Sequence, residues 1–157
     1  MWNFVGPSMT DPWEAPAQAL IPKLALQLRE KVHAPQWASF VRTGAHTERA
    51  PTQEDWFYIR CASVMRKLHK MGPVGVSRLA SEYGGKRDHG SAPYHAVKGS
   101  RSVLTEVFHE LEKAGLVTKR SAKGRVLSPA GQKLLQKAAQ EVMAEFAKKE
   151  PLLKKYL

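Results

Sequence analysis

The sequence is poor in cysteine and in long apolar runs, and each shortage excludes a class of protein. Cys61 is the only cysteine among 157 residues, which excludes an intrachain disulfide and a thiolate zinc site. No apolar run approaches the roughly 18 residues that span a bilayer. Residues 1–11 lack the basic and apolar regions of a signal peptide. We therefore expect a cytoplasmic protein that has no membrane partner.

Recognisable catalytic and cofactor-binding signatures are also missing. The six histidines form no His-Glu-x-x-His pattern, and neither a phosphate-binding P-loop nor a Gly-x-Ser-x-Gly elbow is present. His89, His95 and Asp88 lie close in sequence but have too few companions for a metal site. Cys61 falls within the apolar pattern of a helix, where a packed thiol is more usual than a nucleophile. The sequence predicts no enzyme, no cofactor and no metal.

Acidic residues are scarce relative to basic ones. There are 25 Lys and Arg against 14 Asp and Glu, a net charge of +11 and a pI near 10.0. Such an excess repels itself in a compact protein, so it is typical of proteins that bind a polyanion. A soluble protein that is merely basic is the plain alternative. Residues 1–33 carry three basic and three acidic groups, so the excess, and with it the expected site, lies further along the chain.

Apolar residues recur at helical spacing in five segments. The pattern predicts helices over 17–32, 56–71, 76–83, 100–114 and 129–149, with a short extra turn after Pro35. Thr52 and Asp55 resemble a capping box before the second helix. Ser100 and Ser128 are expected to cap the last two helices, and Gly115 to end the fourth in a left-handed conformation. Segments 116–120 and 125–128 resemble two strands of a hairpin with a basic tip.

This order of elements predicts a mainly α protein: a winged-helix-like helical bundle with a small β-hairpin, or wing, and extra N- and C-terminal helices. We expect an extended N-terminal arm over 1–16, a single RNA-binding domain over 17–150 and a basic C-terminal tail over 151–157. Residues 84–99 are expected to form a long polar loop before the third helix of the winged-helix core. Loops of this length in compact domains are usually functional or disordered.

The candidate binding residues fall into three groups rich in cations, aromatics and hydroxyls, which contact phosphates and stack on bases. The plain alternative in each group is a solvated surface that keeps the protein soluble. The 84–99 segment and the following helix start contribute Lys86, Arg87, His89, Tyr94, His95, Lys98, Ser100, Arg101 and Ser102. The long helix contributes Arg60, Arg66 and Lys67, with Lys70 nearby. The wing contributes Lys119, Arg120, Lys123 and Arg125. The C-terminal lysines alternate with glutamates, so a solvated surface is favoured there.

Several strings, in this order and spacing, resemble the S-nineteen-e family of small-subunit ribosomal proteins of archaea and eukaryotes. They are Trp-Phe-Tyr-Ile-Arg-Cys-Ala-Ser at 56–63, Tyr-Gly-Gly-Lys-Arg at 83–87 and Gly-Ser-Arg-Ser-Val at 99–103. Segments 35–37, 50–51, 111–117 and 127–132 fit the same family. The resemblance covers residues 16–146, and the compact length is similar to archaeal members. Thr105 and Glu106 depart from eukaryotic members, which tend to be basic there.

The resemblance implies a structural constituent of the small ribosomal subunit that binds ribosomal RNA in the subunit head and supports assembly and RNA maturation. It implies neighbouring ribosomal proteins as further partners and a monomer within the ribosome. The RNA contacts of the family carry over to Arg60, Arg66, Lys86, Arg87, Ser100 and Arg101. Two alternatives stay open: a winged-helix transcription factor, and a protein-interaction module or an undetected enzyme. The first is disfavoured because base readout needs several Arg, Asn or Gln on the outer face of the third core helix. Beyond Arg101, that helix carries Glu106, Glu110 and Glu112 instead.

Overall fold

The computed structural model describes residues 11–120 and 124–149, excluding the side chain of residue 149. Its helices and strands follow the predicted order, with one addition between the third and fourth helices. The helices are α1 (Ala17–Leu28), α2 (Trp56–Met71), α3 (Val76–Glu82), α4 (Arg101–Lys113) and α5 (Pro129–Lys149), with a 3-10 turn at Gln36–Ser39. The strands are β1 (Gly85–His89), β2 (Ala92–Val97), β3 (Val117–Arg120) and β4 (Gly124–Leu127).

One core joins the helices. α2 packs against α1, α4 and α5, while α3 packs against α4. Phe57 of α2 is fully buried and meets Trp37 and Trp56 edge to face, with ring centroids 6.3 and 5.8 Å apart. The indole Nε1 of Trp56 donates to the carbonyl of Ala38 at 2.8 Å. Because aromatic side chains bury the most apolar area, this cluster anchors α2 at the centre of the fold.

The wing is attached to the helical body through the backbone. Antiparallel β3 and β4 pair from Val117 with Leu127 to Arg120 with Gly124. Val74, just before α3, exchanges two backbone hydrogen bonds of 3.0 Å with Arg125 and so acts as a one-residue third strand. A helix, a short strand, two further helices and a hairpin make up a winged-helix-like arrangement. The predicted fold class is confirmed, including the extra helices α1 and α5.

Two helix starts are capped as predicted, and a third is not. The Ser100 hydroxyl accepts from the Val103 amide at 3.4 Å at the start of α4. At the start of α5, the Ser128 hydroxyl accepts from the Gly131 amide at 3.1 Å and donates to the Gly115 carbonyl at 2.7 Å. Gly115 itself has a φ of 69°, which suits glycine.

The capping box expected before α2 is wrong, because the cap residue Asp55 accepts no side-chain capping bond. Its carboxylate instead forms an ion pair with Arg29 just after α1. α1 is also shorter than expected, since it ends at Leu28 rather than at residue 32. A tertiary ion pair thus takes the place of the local bond expected at the start of α2.

Candidate nucleic-acid interface

The segment predicted as a long loop is an antiparallel hairpin, so that prediction is wrong. β1 and β2 pair from Gly85 with Val97 to His89 with Ala92, and the register shifts once between Arg87 and His89. Most of its residues are exposed. A strand with one buried face alternates apolar and polar residues, and this hairpin carries no such alternation. Apolar periodicity therefore could not reveal it.

The turn of this hairpin is built locally, and its exposed side chains are those expected to meet RNA. The Asp88 carboxylate accepts from the Gly90 amide at 2.7 Å, and Gly90 has a φ of 72°, so an Asx-type turn replaces an ordinary loop. The His89 and His95 rings lie 5.6 Å apart at an angle of 65°. Lys86, Arg87, His89, Tyr94 and His95 are all exposed.

The hairpin leads directly into the start of α4. The Gly99 amide donates to Ala80 at 2.8 Å, and the Ser100 amide donates to Thr43 at 2.9 Å. A Cβ atom on Gly99 would lie 2.7 Å from the Tyr83 carbonyl oxygen, so only glycine fits this corner. The Ser100 and Ser102 hydroxyls are 3.0 Å apart. Exposed Lys98, Arg101 and Ser102 therefore lie beside the hairpin at a fixed helix N-terminus.

The cations of α2 have partners within the chain. The Arg60 guanidinium lies over the Tyr83 ring at 4.3 Å, and the Lys67 ammonium lies over the same ring at 4.3 Å. Lys67 also pairs with Glu82 at 3.1 Å, and burial lowers the pKa of Arg60. Tyr83 shares a hydrogen bond of 2.7 Å with Ser63. These cations join α2 to α3, and an RNA contact from Arg60 or Lys67 stays a prediction.

Residues before α1 cover the remaining cations of α2. The Arg66 guanidinium lies 3.7 Å from the Trp13 ring centroid, and the Lys70 ammonium lies 4.0 Å from it. Arg66 also donates to the Trp13 carbonyl at 3.2 Å, and burial lowers its pKa. The Asp11 carboxylate lies 2.8 Å from His69 Nε2. Residues 11–16 are thus held against α2, and contact between Arg66 and RNA also stays a prediction.

The wing contains both exposed and internally paired cations. Lys119 and Arg120 are exposed on β3. Arg125 turns back onto α4, where its Nε donates to Glu112 at 2.6 Å and its guanidinium lies 4.7 Å from the Phe108 ring centroid. Lys123 lies outside the described residues. Two of the four predicted wing cations are therefore exposed, and a third is used to attach the wing.

The acidic residues of α4 do not form the exposed row that was expected. Glu110 is only 8% exposed; its carboxylate accepts from Lys113 at 2.5 Å and from the His33 amide at 3.4 Å. The Glu112 carboxylate forms an ion pair with Arg125. Only Glu106 matches the expectation in part, since it is half-buried and lies 3.7 Å from His109. The case that these glutamates make against base readout of DNA is thus weaker than the sequence indicated.

A basic loop over 42–49 was missed by sequence reasoning. It contains exposed Arg42 and Arg49, and Gly44 forms an isolated β-bridge with Gly99. The ring of His46 lies between two glycines: a Cβ atom would approach it within 2.6 Å on Gly44 and 2.7 Å on Gly85. The signal that could have found the loop is its resemblance in composition to 84–99, with arginine, glycine and histidine together.

The described residues offer little support for a metal site, a membrane-spanning helix or a reactive thiol. Within residues 11–120 and 124–149, no three His, Cys, Asp or Glu side chains come together as metal ligands. No helix in the same ranges has the length and apolarity needed to cross a membrane. Cys61 is fully buried, and burial raises the pKa of its thiol, which makes the thiolate scarce.

Fold and surface together define a small, basic, winged-helix-like protein that carries several exposed cations on a hairpin and an adjoining helix start. Residues 13–145 match the family described as ribosomal protein S19e. The chain belongs to this family, whose members are structural components of the ribosome and not enzymes.

Sequence similarity to several relatives covers most of the chain. Small ribosomal subunit protein eS19 of Thermoplasma volcanium is 49% identical over 144 residues, which are 90% of this chain and 95% of the relative. The protein of the same name from Aeropyrum pernix is 45% identical and is covered completely, against 95% of this chain. The eS19A protein of Schizosaccharomyces pombe is 39% identical, with 82% of this chain and 91% of the relative covered. The expected family is confirmed, with archaeal relatives among its members.

Proposed function

We propose that this chain is a structural constituent of the small ribosomal subunit and binds ribosomal RNA in the subunit head. The observation that carries the proposal is the β1–β2 hairpin, which is exposed along most of its length and bears cations with no ion-pair partner among the described residues. An element that adds little to the core but carries charge and aromatic rings is suited to a partner. Membership in a family of ribosomal proteins indicates that this partner is RNA.

The proposed interface has a centre and two flanks. The exposed cations at the centre contact phosphates: Lys86, Arg87, Lys98 and Arg101. A cation that neutralises a nucleic-acid backbone releases the counterions condensed on that backbone, which favours binding. Tyr94, His89 and His95 stack on bases or donate to phosphate oxygens, and Ser100 and Ser102 add hydroxyls at a helix N-terminus, which favours anions.

The flanks are the wing and α2. Lys119, Arg120 and Lys123 extend the interface at the wing. The cations already in contact with rings or carboxylates of the protein should contribute less to RNA binding than the exposed ones. They are Arg60, Arg66, Lys67 and Arg125.

The proposal includes the setting of the protein as well as its ligand. The chain is a monomer within the cytoplasmic ribosome, beside other small-subunit proteins, and it needs no cofactor. By holding a segment of RNA in one conformation, it supports assembly of the subunit and maturation of its RNA. We also propose one RNA-binding domain over 17–150, preceded by an arm over 1–16 and followed by a basic tail over 151–157.

The test compares structured RNA with duplex DNA. The full chain is titrated with a head-domain fragment of small-subunit ribosomal RNA, and with a DNA duplex of equal length, over a range of salt concentrations. We expect tighter binding to RNA at every salt concentration, and sedimentation of the protein with small subunits in a cell lysate. Equal affinity for the duplex, or absence from purified small subunits, would contradict the proposal.

A further inference from the structure

A cleft separates the 42–49 loop from the β1–β2 hairpin. Its volume is about 550 Å³, within the range of about 300–1,000 Å³ found for sites that hold small molecules. One wall carries Arg42, Thr47 and Glu48, and the other carries Lys86, Arg87 and Tyr94. The cleft is therefore large enough for one nucleotide and too small for a double helix.

The walls of this cleft are fixed to one another before any ligand arrives. The His46 ring fills the space between Gly44 and Gly85 and so joins the loop to the base of the hairpin. Its Nδ1 is buried and has no hydrogen-bond partner among the residues that the structure describes, so packing against the two glycines holds the ring in place. Thr47 Oγ1 donates to the Gly44 carbonyl at 2.8 Å. A preformed site loses little conformational entropy when it binds.

The groups that line the cleft differ from those that follow a continuous phosphate backbone. Arg42, Lys86 and Arg87 form no ion pair within the part of the chain that the structure describes, so they are available to a phosphate. Glu48 and Asp88 stand among them and would repel a second phosphate. Carboxylates do, however, accept hydrogen bonds from the amino groups of bases. Mixed charge of this kind suits one nucleotide with its base exposed.

Tyr94 adds an aromatic ring to the charged groups that line the cleft. Tyr94 is 64% exposed on β2, where an apolar ring costs free energy unless a partner covers it. Aromatic side chains at such positions stack on bases that have left the helix. We propose that the cleft binds one unpaired ribosomal RNA nucleotide, with its phosphate on Arg42, Lys86 and Arg87 and its base on Tyr94. This rests on the proposed function, since it specifies the kind of RNA element that the interface recognises.

The test uses short RNA hairpins with and without a single bulged nucleotide. Four hairpins carry a bulged A, C, G or U, and a fifth is fully paired. Because stacking on an aromatic ring is worth about tenfold in affinity, we expect the full chain to prefer the best bulged hairpin by about that factor. A bulged 2-aminopurine should lose fluorescence on binding as its base stacks.

Two variants and a control decide whether Tyr94 is responsible. Tyr94→Phe keeps a ring and should keep both the preference and the quenching, whereas Tyr94→Leu should lose both. Phe40→Leu is the matched control, because Phe40 is 72% exposed and lies outside the cleft, so it should behave like the unaltered chain.

Equal affinity of the unaltered chain for bulged and paired hairpins would overturn the inference while leaving RNA binding intact. A preference that survives in Tyr94→Leu would overturn it too. If the chain bound none of the hairpins and failed against the head-domain RNA fragment as well, the proposed function itself would fall.

Discussion

Some basic residues are exposed and others are paired inside the protein. This difference predicts how the affinity for RNA of each variant depends on salt concentration. Lys86 and Arg87 are exposed on β1, while Arg125 is held by Glu112 and lies over Phe108. Removing a cation that neutralises a phosphate lowers the salt dependence of binding, because fewer counterions are released. Removing a cation that is neutralised inside the protein leaves this dependence nearly unchanged.

The magnitude follows from the number of phosphates lost. Each phosphate contact contributes about 0.7–0.9 to the slope of log K against log salt, so Lys86→Ala with Arg87→Ala should reduce the slope by about 1.4–1.8. Between 50 and 200 mM salt, the affinity advantage of the unaltered chain over this double variant should shrink about tenfold. Since neither side chain packs in the core, the free energy of unfolding should change by less than about 0.5 kcal/mol.

Arg125→Ala provides the contrasting variant. It leaves the Glu112 carboxylate without its partner, so the free energy of unfolding should fall by about 1–3 kcal/mol, while the salt slope stays within error of the unaltered chain. The assays are fluorescence anisotropy with a head-domain RNA fragment at several salt concentrations, and urea unfolding. Equal slopes for the unaltered chain and the double variant would refute the reasoning, as would an equal loss of slope in Arg125→Ala.

Three further predictions concern stability and reactivity. Ser128→Ala should cost about 2–4 kcal/mol in urea unfolding, because its buried hydroxyl both caps α5 and donates to a carbonyl. Ser100→Ala, which loses a half-buried cap with a single capping bond, should cost about 1 kcal/mol. Cys61 should resist a thiol reagent at pH 8 until the chain is unfolded, and modification at the same rate in both states would contradict its burial. The pKa of Asp11 is lowered from 3.8 by the Trp13 amide and by His69, so its contribution to stability is present above about pH 3.8 and lost as the pH falls through the lower folded value. Asp11→Asn should therefore be less stable at pH 6, and a difference that persists unchanged to pH 2 would exclude this linkage.

The helices could be predicted from the sequence because each carries its own apolar pattern. α2 was placed at its observed ends, and the caps of α4 and α5 depend only on residues three apart. The capping of α2 could not be predicted, since Asp55 is paired with Arg29, which follows the end of α1. Local rules describe a helix well only where its ends meet solvent or their own neighbours in sequence.

The candidate site was predictable in composition but not in geometry. Lys86, Arg87 and Tyr94 were selected because of their residue types, and they are indeed exposed. Their arrangement on a hairpin left no apolar alternation to detect. The packing of Trp13 on Arg66, 53 residues away in sequence, is a tertiary contact for which no local pattern exists.

The β1–β2 hairpin also has a consequence for the protein before it reaches a partner. Among the described residues this sheet has only two strands, so it has an open edge on each side. An open edge can pair with another copy and start aggregation. Charged residues and proline discourage such pairing, and this hairpin has Lys86 and Arg87 on one strand and Pro93 on the other. Lys86 and Arg87, which we propose for RNA, would thus also keep newly made chains apart in solution, so replacing these two with apolar residues should lower solubility as well as affinity.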